Sequence, residues 1–208
     1  MYRVLIVDDH SLIRSAMAMM LSGQSFKVVG EATDGVEAVQ MARDYAADLI
    51  ILDISMPGLD GLEVISRIRA SGVTSRILVL TSLPALFYSQ RCMKAGADGF
   101  VTKSQDLNEL LRAIKAIMSG YMFFPNLKVS SVRNSDATLS EAEMIQRLSD
   151  RELTILQQLA RGLSNKQIAE DMMLSSKTIS TYKARLIEKL NMKSVVYLAD
   201  FAKRNQLI

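Results

Sequence analysis

The chain has 208 residues, of which 49% are hydrophobic and 23% charged, with one cysteine and one histidine. Those fractions are ordinary for a globular protein, and metal sites rich in thiolate or imidazole are excluded by composition. The length suggests one large or two small domains. The charge is uneven. Residues 1–125 carry 12 Lys+Arg against 13 Asp+Glu, whereas residues 126–208 carry 13 against 9. A near-neutral front half and a basic back half suggest two domains, the second with nucleic acid as its partner. There is no long uncharged apolar span, so no membrane helix and no membrane partner are expected. Met1-Tyr2-Arg3 leads directly into the first apolar run, which argues against a signal peptide, and the lone Cys92 cannot form an internal disulfide. A reducing cytoplasm fits both observations, with Cys92 read as a small apolar filler on a helix.

From residue 3 to about 118, short apolar strands alternate with amphipathic helical segments. Strands are predicted near Arg3–Val7, Lys27–Glu31, Asp48–Asp53, Arg76–Leu80 and Gly99–Thr102. Helices are predicted near Leu12–Leu21, Val36–Asp44, Leu62–Ala70, Leu86–Ala95 and Leu107–Met118. Five such units call for an α/β domain, a doubly wound five-stranded parallel sheet with helices on both faces. Gly72, Gly96 and Gly120 fall near helix ends, where a left-handed residue is useful. Met17, Met19 and Met20 of the first helix read as packing residues.

The stretch from Asn126 to Gln146 has no strong period, carries Ser130-Ser131 and Asn134-Ser135-Asp136, and reads as a tether ending in a short helix from Ser140. Helices follow near Asp150–Ala160, Asn165–Met172, Ser176–Leu190 and Val195–Arg204. Leu153, Leu156 and Leu159 form an apolar stripe on the first. Gly162 supplies a turn, and Ser164 and Ser175 supply N-caps. The predicted organisation is a first domain over 1–122, a linker over 123–147 and a small all-α domain over 148–208.

The most informative residues lie at strand ends. Leu49-Ile50-Ile51-Leu52 reads as a strand buried on both faces, and it ends in Asp53. Val4-Leu5-Ile6-Val7 ends the same way, in Asp8-Asp9. If these strands are neighbours, three carboxylates meet on the rim where open α/β sheets bind ligands. Their mutual repulsion suggests a hard divalent cation.

Asp8-Asp9, Asp53, Met56-Pro57-Gly58-x-Asp60-Gly61, Thr81 and Gly96-Ala97-Asp98-Gly99-Phe100-Val101-x-Lys103 together resemble the receiver domain of two-component response regulators, over about residues 3–120. The resemblance implies a flavodoxin-like fold with Asp53 as the nucleophile, accepting a phosphoryl group from a sensor histidine kinase or its phosphotransfer domain. It implies Mg²⁺ held by Asp8, Asp9, Asp53 and the Ser55 backbone carbonyl, with Lys103 as a fixed charge for phosphate oxygens. Thr81 and Phe100 occupy the family's switch positions. Phe100 lacks a hydroxyl, so packing alone must carry its part of the coupling. His10 is read as a loop-edge residue beside the metal site. Asp60 and Asp98 are read as turn residues.

Leu148-Ser149-Asp150-Arg151-Glu152-Leu153, Ala160-Arg161-Gly162-Leu163-Ser164-Asn165-Lys166-x-Ile168-Ala169 and Leu174-Ser175-x-Lys177-Thr178-Ile179-Ser180-Thr181-Tyr182 resemble the LuxR-type helix-turn-helix of the NarL/FixJ response regulators. Tyr182 departs from a frequent His, and the Met172-Met173 loop is also less usual. Ser180-Thr181-Tyr182-Lys183 and Gly120-Tyr121-x-x-Phe124-Pro125 look closer to the Bvg/Evg type of virulence regulator.

The recognition helix would bury Ile179, Leu186 and Leu190. The residues implied in DNA binding are Asn165, Lys166, Lys177, Thr178, Ser180, Thr181, Lys183, Ala184 and Arg185. Of these, Ser180, Thr181 and Ala184 would face base edges, and Asn165 and Lys166 would face phosphate. Tyr182 either packs internally or touches the backbone. Val195, Val196 and Leu198 are candidate dimer contacts, for a homodimer on paired half-sites of promoter DNA, and RNA polymerase is a further candidate partner.

The function implied is transcriptional regulation by phosphorylation at Asp53, acting through dimerisation, DNA binding or release of the DNA domain. Two other readings are weaker. A small-molecule phosphatase with an Asp nucleophile would carry a second acid two residues later, where this chain has Ser55. A phosphorylation-independent DNA-binding protein would not need Asp8, Asp9, Asp53, Thr81 and Lys103 together.

Overall fold

The computed structural model describes residues 1–22, 25–103, 106–125 and 140–208, so most of the predicted tether lies outside the described residues. The chain forms two compact units, Met1–Asn126 and Leu127–Ile208.

In the first unit, strands β1 (Tyr2–Val7), β2 (Phe26–Ala32), β3 (Leu49–Leu52), β4 (Arg76–Thr81) and β5 (Gly99–Thr102) alternate with helices α1 (Ser11–Leu21), α2 (Gly35–Asp44), α3 (Gly61–Ala70), α4 (Ala85–Ala95) and α5 (Leu107–Met118). The sheet is parallel, in the order β2-β1-β3-β4-β5. Residues 4–7 and 49–52 are fully buried, because helices cover both faces. On one face Val4, Ile6, Leu49, Ile51, Leu78 and Leu80 pack against Met17 and Leu21 of α1 and Leu110, Ala113, Ile114 and Ile117 of α5. The alternate residues Leu5, Val7, Ile50 and Leu52 turn to the opposite face. Each such aliphatic side chain contributes about 1.5–3 kcal/mol by leaving water.

Local chemistry sets the helix ends. Asp34, Asp60 and Asp106 cap α2, α3 and α5 by accepting backbone N–H bonds, and Gly96 ends α4 at φ 106°. Gly61 is required for a different reason: a Cβ there would lie 2.4 Å from the Cα of Ile54, the residue after Asp53. Its absence lets α3 begin against the strand end. Cys92 is fully buried on α4, as expected of an apolar filler. Met19 corrects the packing assignment for α1. It is 77% exposed, because it lies on the helix face turned away from Met17 and Leu21.

The N-terminal rim of the sheet carries a charged lock. Asp98 accepts hydrogen bonds from the Ile77 backbone N–H (2.9 Å), Arg69 (2.8 Å) and Arg76 (2.8 Å). Arg69 also donates to the carbonyls of Gly96 (2.8 Å) and Ser75 (2.7 Å). Beyond α5, Phe123 joins the edge of β5: the Phe100 N–H donates to the Phe123 carbonyl (2.8 Å), and the Phe123 N–H to the Asp98 carbonyl (3.0 Å).

The second unit contains α6 (Glu141–Gln146), α7 (Asp150–Ala160), α8 (Asn165–Asp171), α9 (Ser176–Lys189) and α10 (Val195–Arg204). Ser140, Ser149 and Ser164 each form a capping box, with Glu143, Glu152 and Gln167 respectively, and Ser175 caps α9. Leu153, Leu156 and Leu159 of α7 pack in a core with Ile168, Ile179, Leu186, Leu190 and Phe201. Helix α6 is tied to this unit through buried Ile145 and through Glu141, which accepts from Arg204 and Asn205 at 2.7 Å each. The short helix expected from Ser140 at the end of the tether is α6, and both it and Phe123, inside the span expected to be linker, are bonded into a folded unit.

Candidate functional site

The register of β1 on β3 builds the first site. Val7 pairs with Leu52, and the Asp53 N–H donates to the Val7 carbonyl (2.8 Å). The next residue of each strand, Asp8 and Asp53, therefore emerges side by side, at the point where strand order reverses. Both are buried, at 1% and 2% exposure, a costly environment for two carboxylates. Lys103, just beyond β5, reaches between them, with Nζ 2.5 Å from Asp53 Oδ2 and 2.7 Å from Asp8 Oδ2. Burial pulls the Lys103 pKa down, but its contacts with the two carboxylates outweigh this, and the net shift is upward.

The other Asp53 oxygen accepts from the Ser55 N–H (2.8 Å) and the Ser55 hydroxyl (2.7 Å). Thr81 is fully buried at the end of β4. Its hydroxyl has long contacts, 3.5 Å to Ser55 Oγ and 3.3 Å from the Leu83 N–H. Phe100 is 1% exposed on β5 and fills the interior beside β4.

One ammonium does not balance two buried carboxylates. Asp8 Oδ2 has only the ammonium that it shares with Asp53 as a partner among the described residues. Asp8, Asp9 and His10 offer ligand atoms within 4.8 Å of one another, and Asp9 faces solvent. Two buried carboxylates that share a single ammonium, beside a third carboxylate open to solvent, keep excess negative charge and fit a hard divalent cation. His10 sits at this edge, with Nδ1 2.9 Å from Asp9 Oδ1. The loop is braced by Arg14, which donates to the Asp8 carbonyl (2.8 Å) and pairs with Glu31 (3.0 Å). Sequence reasoning did not identify Arg14, whose role depends on the turn between β1 and α1. Asp60 and Asp98 act as a helix cap and a rim lock, in keeping with local structural roles.

The second site is the outer face of α9. Lys177, Ser180, Thr181, Ala184 and Arg185 are exposed, while Thr178 and Lys183 are half-buried. Asn165 and Lys166 open α8, and Asn165 Nδ2 donates to Ser180 Oγ (3.0 Å). Thr178 shares a 2.8 Å hydrogen bond with the cap Ser175, so its hydroxyl is committed to the helix start. The Arg185 guanidinium lies 6.0 Å from the Tyr182 ring. On α10, Val196 is 70% exposed and Val195 half-buried. Leu198 corrects the dimer set: it is fully buried in its own unit, because its position on α10 turns it toward the core that contains Phe201.

A buried strand-end aspartate with a cationic neighbour on a β2-β1-β3-β4-β5 sheet, followed by a helix-turn-helix unit, defines a signalling receiver joined to a DNA-binding domain. Comparison with known families agrees. Residues 4–115 match the response regulator receiver domain, and residues 146–202 match the luxR family of bacterial regulatory proteins. The chain is 47% identical over 205 residues to the putative positive transcription regulator of virulence factors BvgA of Bordetella pertussis, covering 99% of this chain and 98% of that one. It is 35% identical to the DNA-binding transcriptional activator EvgA of Escherichia coli, covering 98% of each. A structure of the Salmonella typhimurium RcsB response regulator, described for its conformational dynamism in DNA interaction, aligns over 98% of each chain with 25% identity and a TM-score of 0.79.

This chain belongs to the LuxR-type, or NarL/FixJ, family of two-component response regulators, which are transcription regulators. Among the described residues, no helix is long and apolar enough to cross a membrane.

Proposed function

We propose that Asp53 is the phosphoacceptor of a cytoplasmic transcription regulator, charged by a sensor histidine kinase or its phosphotransfer domain. The observation that carries this reading is the burial of Asp53 and Asp8 around a single Lys103. An Asp53 carboxylate oxygen bonds to phosphorus as the P–N bond of phosphohistidine breaks, and the electron pair of that bond returns to the imidazole. Asp8, Asp9, Asp53 and the Ser55 carbonyl would hold Mg²⁺, which when bound offsets repulsion between the nucleophile and the incoming phosphoryl group. Lys103 holds positive charge where phosphate oxygens arrive.

Phosphorylation adds charge and acceptor oxygens beside Thr81. The long contacts of its hydroxyl leave it free to turn toward them, and Phe100 then repacks against β4. The output is homodimerisation and binding of promoter DNA by α9, with α10 contributing Val195 and Val196 at the interface and RNA polymerase as a further partner.

The test is intact-mass analysis after incubation with acetyl phosphate and Mg²⁺. Wild type should gain one phosphoryl group and Asp53→Asn none. Equal uptake by Asp53→Asn would refute the assignment.

A further inference from the structure

Ser180 and Asn165, both expected to touch DNA, touch each other instead. The Ser180 hydroxyl donates to the Ser176 carbonyl (3.0 Å) and accepts from Asn165 Nδ2 (3.0 Å). Its one proton is committed to its own helix and one lone pair to α8, which leaves little to offer a base edge. Helices α8 and α9 are neighbours, and Ile168 and Ala169 of the one and Ile179 of the other are buried. Burial of Ile179, Leu186 and Leu190 sets which face of α9 turns inward, but apolar packing is weakly directional and leaves small rotations about the helix axis. A hydrogen bond near the start of both helices removes that freedom.

Lys177, Thr181 and Ala184 are spaced i, i+4 and i+7, form one exposed stripe, and would swing with any such rotation. The Thr181 hydroxyl donates to the Lys177 carbonyl (3.1 Å), so its methyl and remaining lone pairs are what it presents outward.

We infer that Asn165 and Ser180 form a clasp between scaffold and recognition helices: Asn165 is a positioning residue acting through Ser180, and sequence is read by the Lys177–Thr181–Ala184 stripe. The inference rests on α9 being the DNA-reading helix, and it assigns the work within that helix.

The experiment uses the full chain, treated with acetyl phosphate and Mg²⁺, and the tightest duplex it selects from a randomised library. Affinities are measured for that duplex, its single-base variants and a scrambled duplex. Ser180→Ala and Asn165→Ala should each weaken binding about 5-fold, the worth of one hydrogen bond, and the double variant should lose the same factor and no more. The loss should be equal across the single-base variants, whereas Thr181→Val should flatten discrimination at one base pair. Ser180→Thr, which keeps the accepting oxygen, should restore binding, and urea midpoints should show every variant folded.

Multiplying losses in the double variant, or discrimination lost at one base pair in Ser180→Ala, would overturn the clasp while leaving α9 as the reader. If wild type does not distinguish the selected from the scrambled duplex, the DNA reading fails and the clasp fails with it.

Discussion

Charge gathers at both rims of the same five-stranded sheet, and the two clusters are built differently. At the N-terminal rim, Asp98 meets two guanidinium groups and a backbone N–H, so its carboxylate is surrounded by donors. At the C-terminal rim, two carboxylates share one ammonium, so one negative charge is left over. A balanced cluster ties loops together and has little left to offer a ligand. An unbalanced one keeps negative charge, which a cation can complete and a phosphoryl group can then engage. The two clusters differ in burial as well as in satisfaction: the Asp8 and Asp53 side chains are 1% exposed, against 16% for Asp98 and 46% for Arg76.

That contrast can be broken by experiment. The largest expected effect is at the unbalanced rim: Lys103→Met should slow phosphoryl uptake from acetyl phosphate about 100-fold, the usual scale for removing one fixed donor at a reacting oxyanion. A rate within a factor of about two of wild type would show the ammonium to be a spacer between carboxylates.

Asp98→Asn should cost about 1–2 kcal/mol in urea unfolding of the receiver, because it leaves two partly exposed arginines without their counter-charge. Phosphoryl uptake by the folded fraction should not change. A parallel loss of uptake would mean that the two rims are coupled.

Mg²⁺ at ten times its dissociation constant should stabilise the wild-type receiver by about 1.4 kcal/mol, from mass action alone. Asp98→Asn should keep that increment and Asp8→Asn should lose it. Equal stabilisation of both variants would place the ion elsewhere.

The smallest effect concerns a third pair, Glu152 with Lys189, whose contacts measure 2.7 and 2.9 Å. Burial raises the Glu152 pKa, but hydrogen bonds from Lys189 and Ser149 outweigh it and hold the group below its ordinary value. A depressed folded-state pKa stabilises above the unfolded value of about 4.3, and that advantage fades as pH falls through the folded value. Glu152→Gln should therefore unfold more readily than wild type near neutrality, with the gap closing on acidification. A gap independent of pH would assign the loss to packing.

The parts legible in sequence were those set by short-range pattern. Leu49–Leu52 announced a two-sided buried strand, and the acids ending β1 and β3 became neighbours once those strands paired. Ser164 and Ser175 were readable as caps, because capping is a matter of three or four consecutive residues. Facing was harder to read. Met19 and Leu198 are apolar and helical, yet one points out and the other in, and the neighbours that decide this are distant in sequence. The Asn165–Ser180 bond and the Arg14 brace escaped for the same reason, since each joins segments whose approach depends on a turn. Phe123 escaped because a single bridge leaves no alternating pattern.

That bridge has a mechanical consequence. The strand bearing Phe100 and the stretch of chain leaving the receiver are stitched by two backbone bonds, one of them to the carbonyl of Asp98. The exit from the sheet is thus a fixed mooring. A displacement of β5 would carry Phe123 with it.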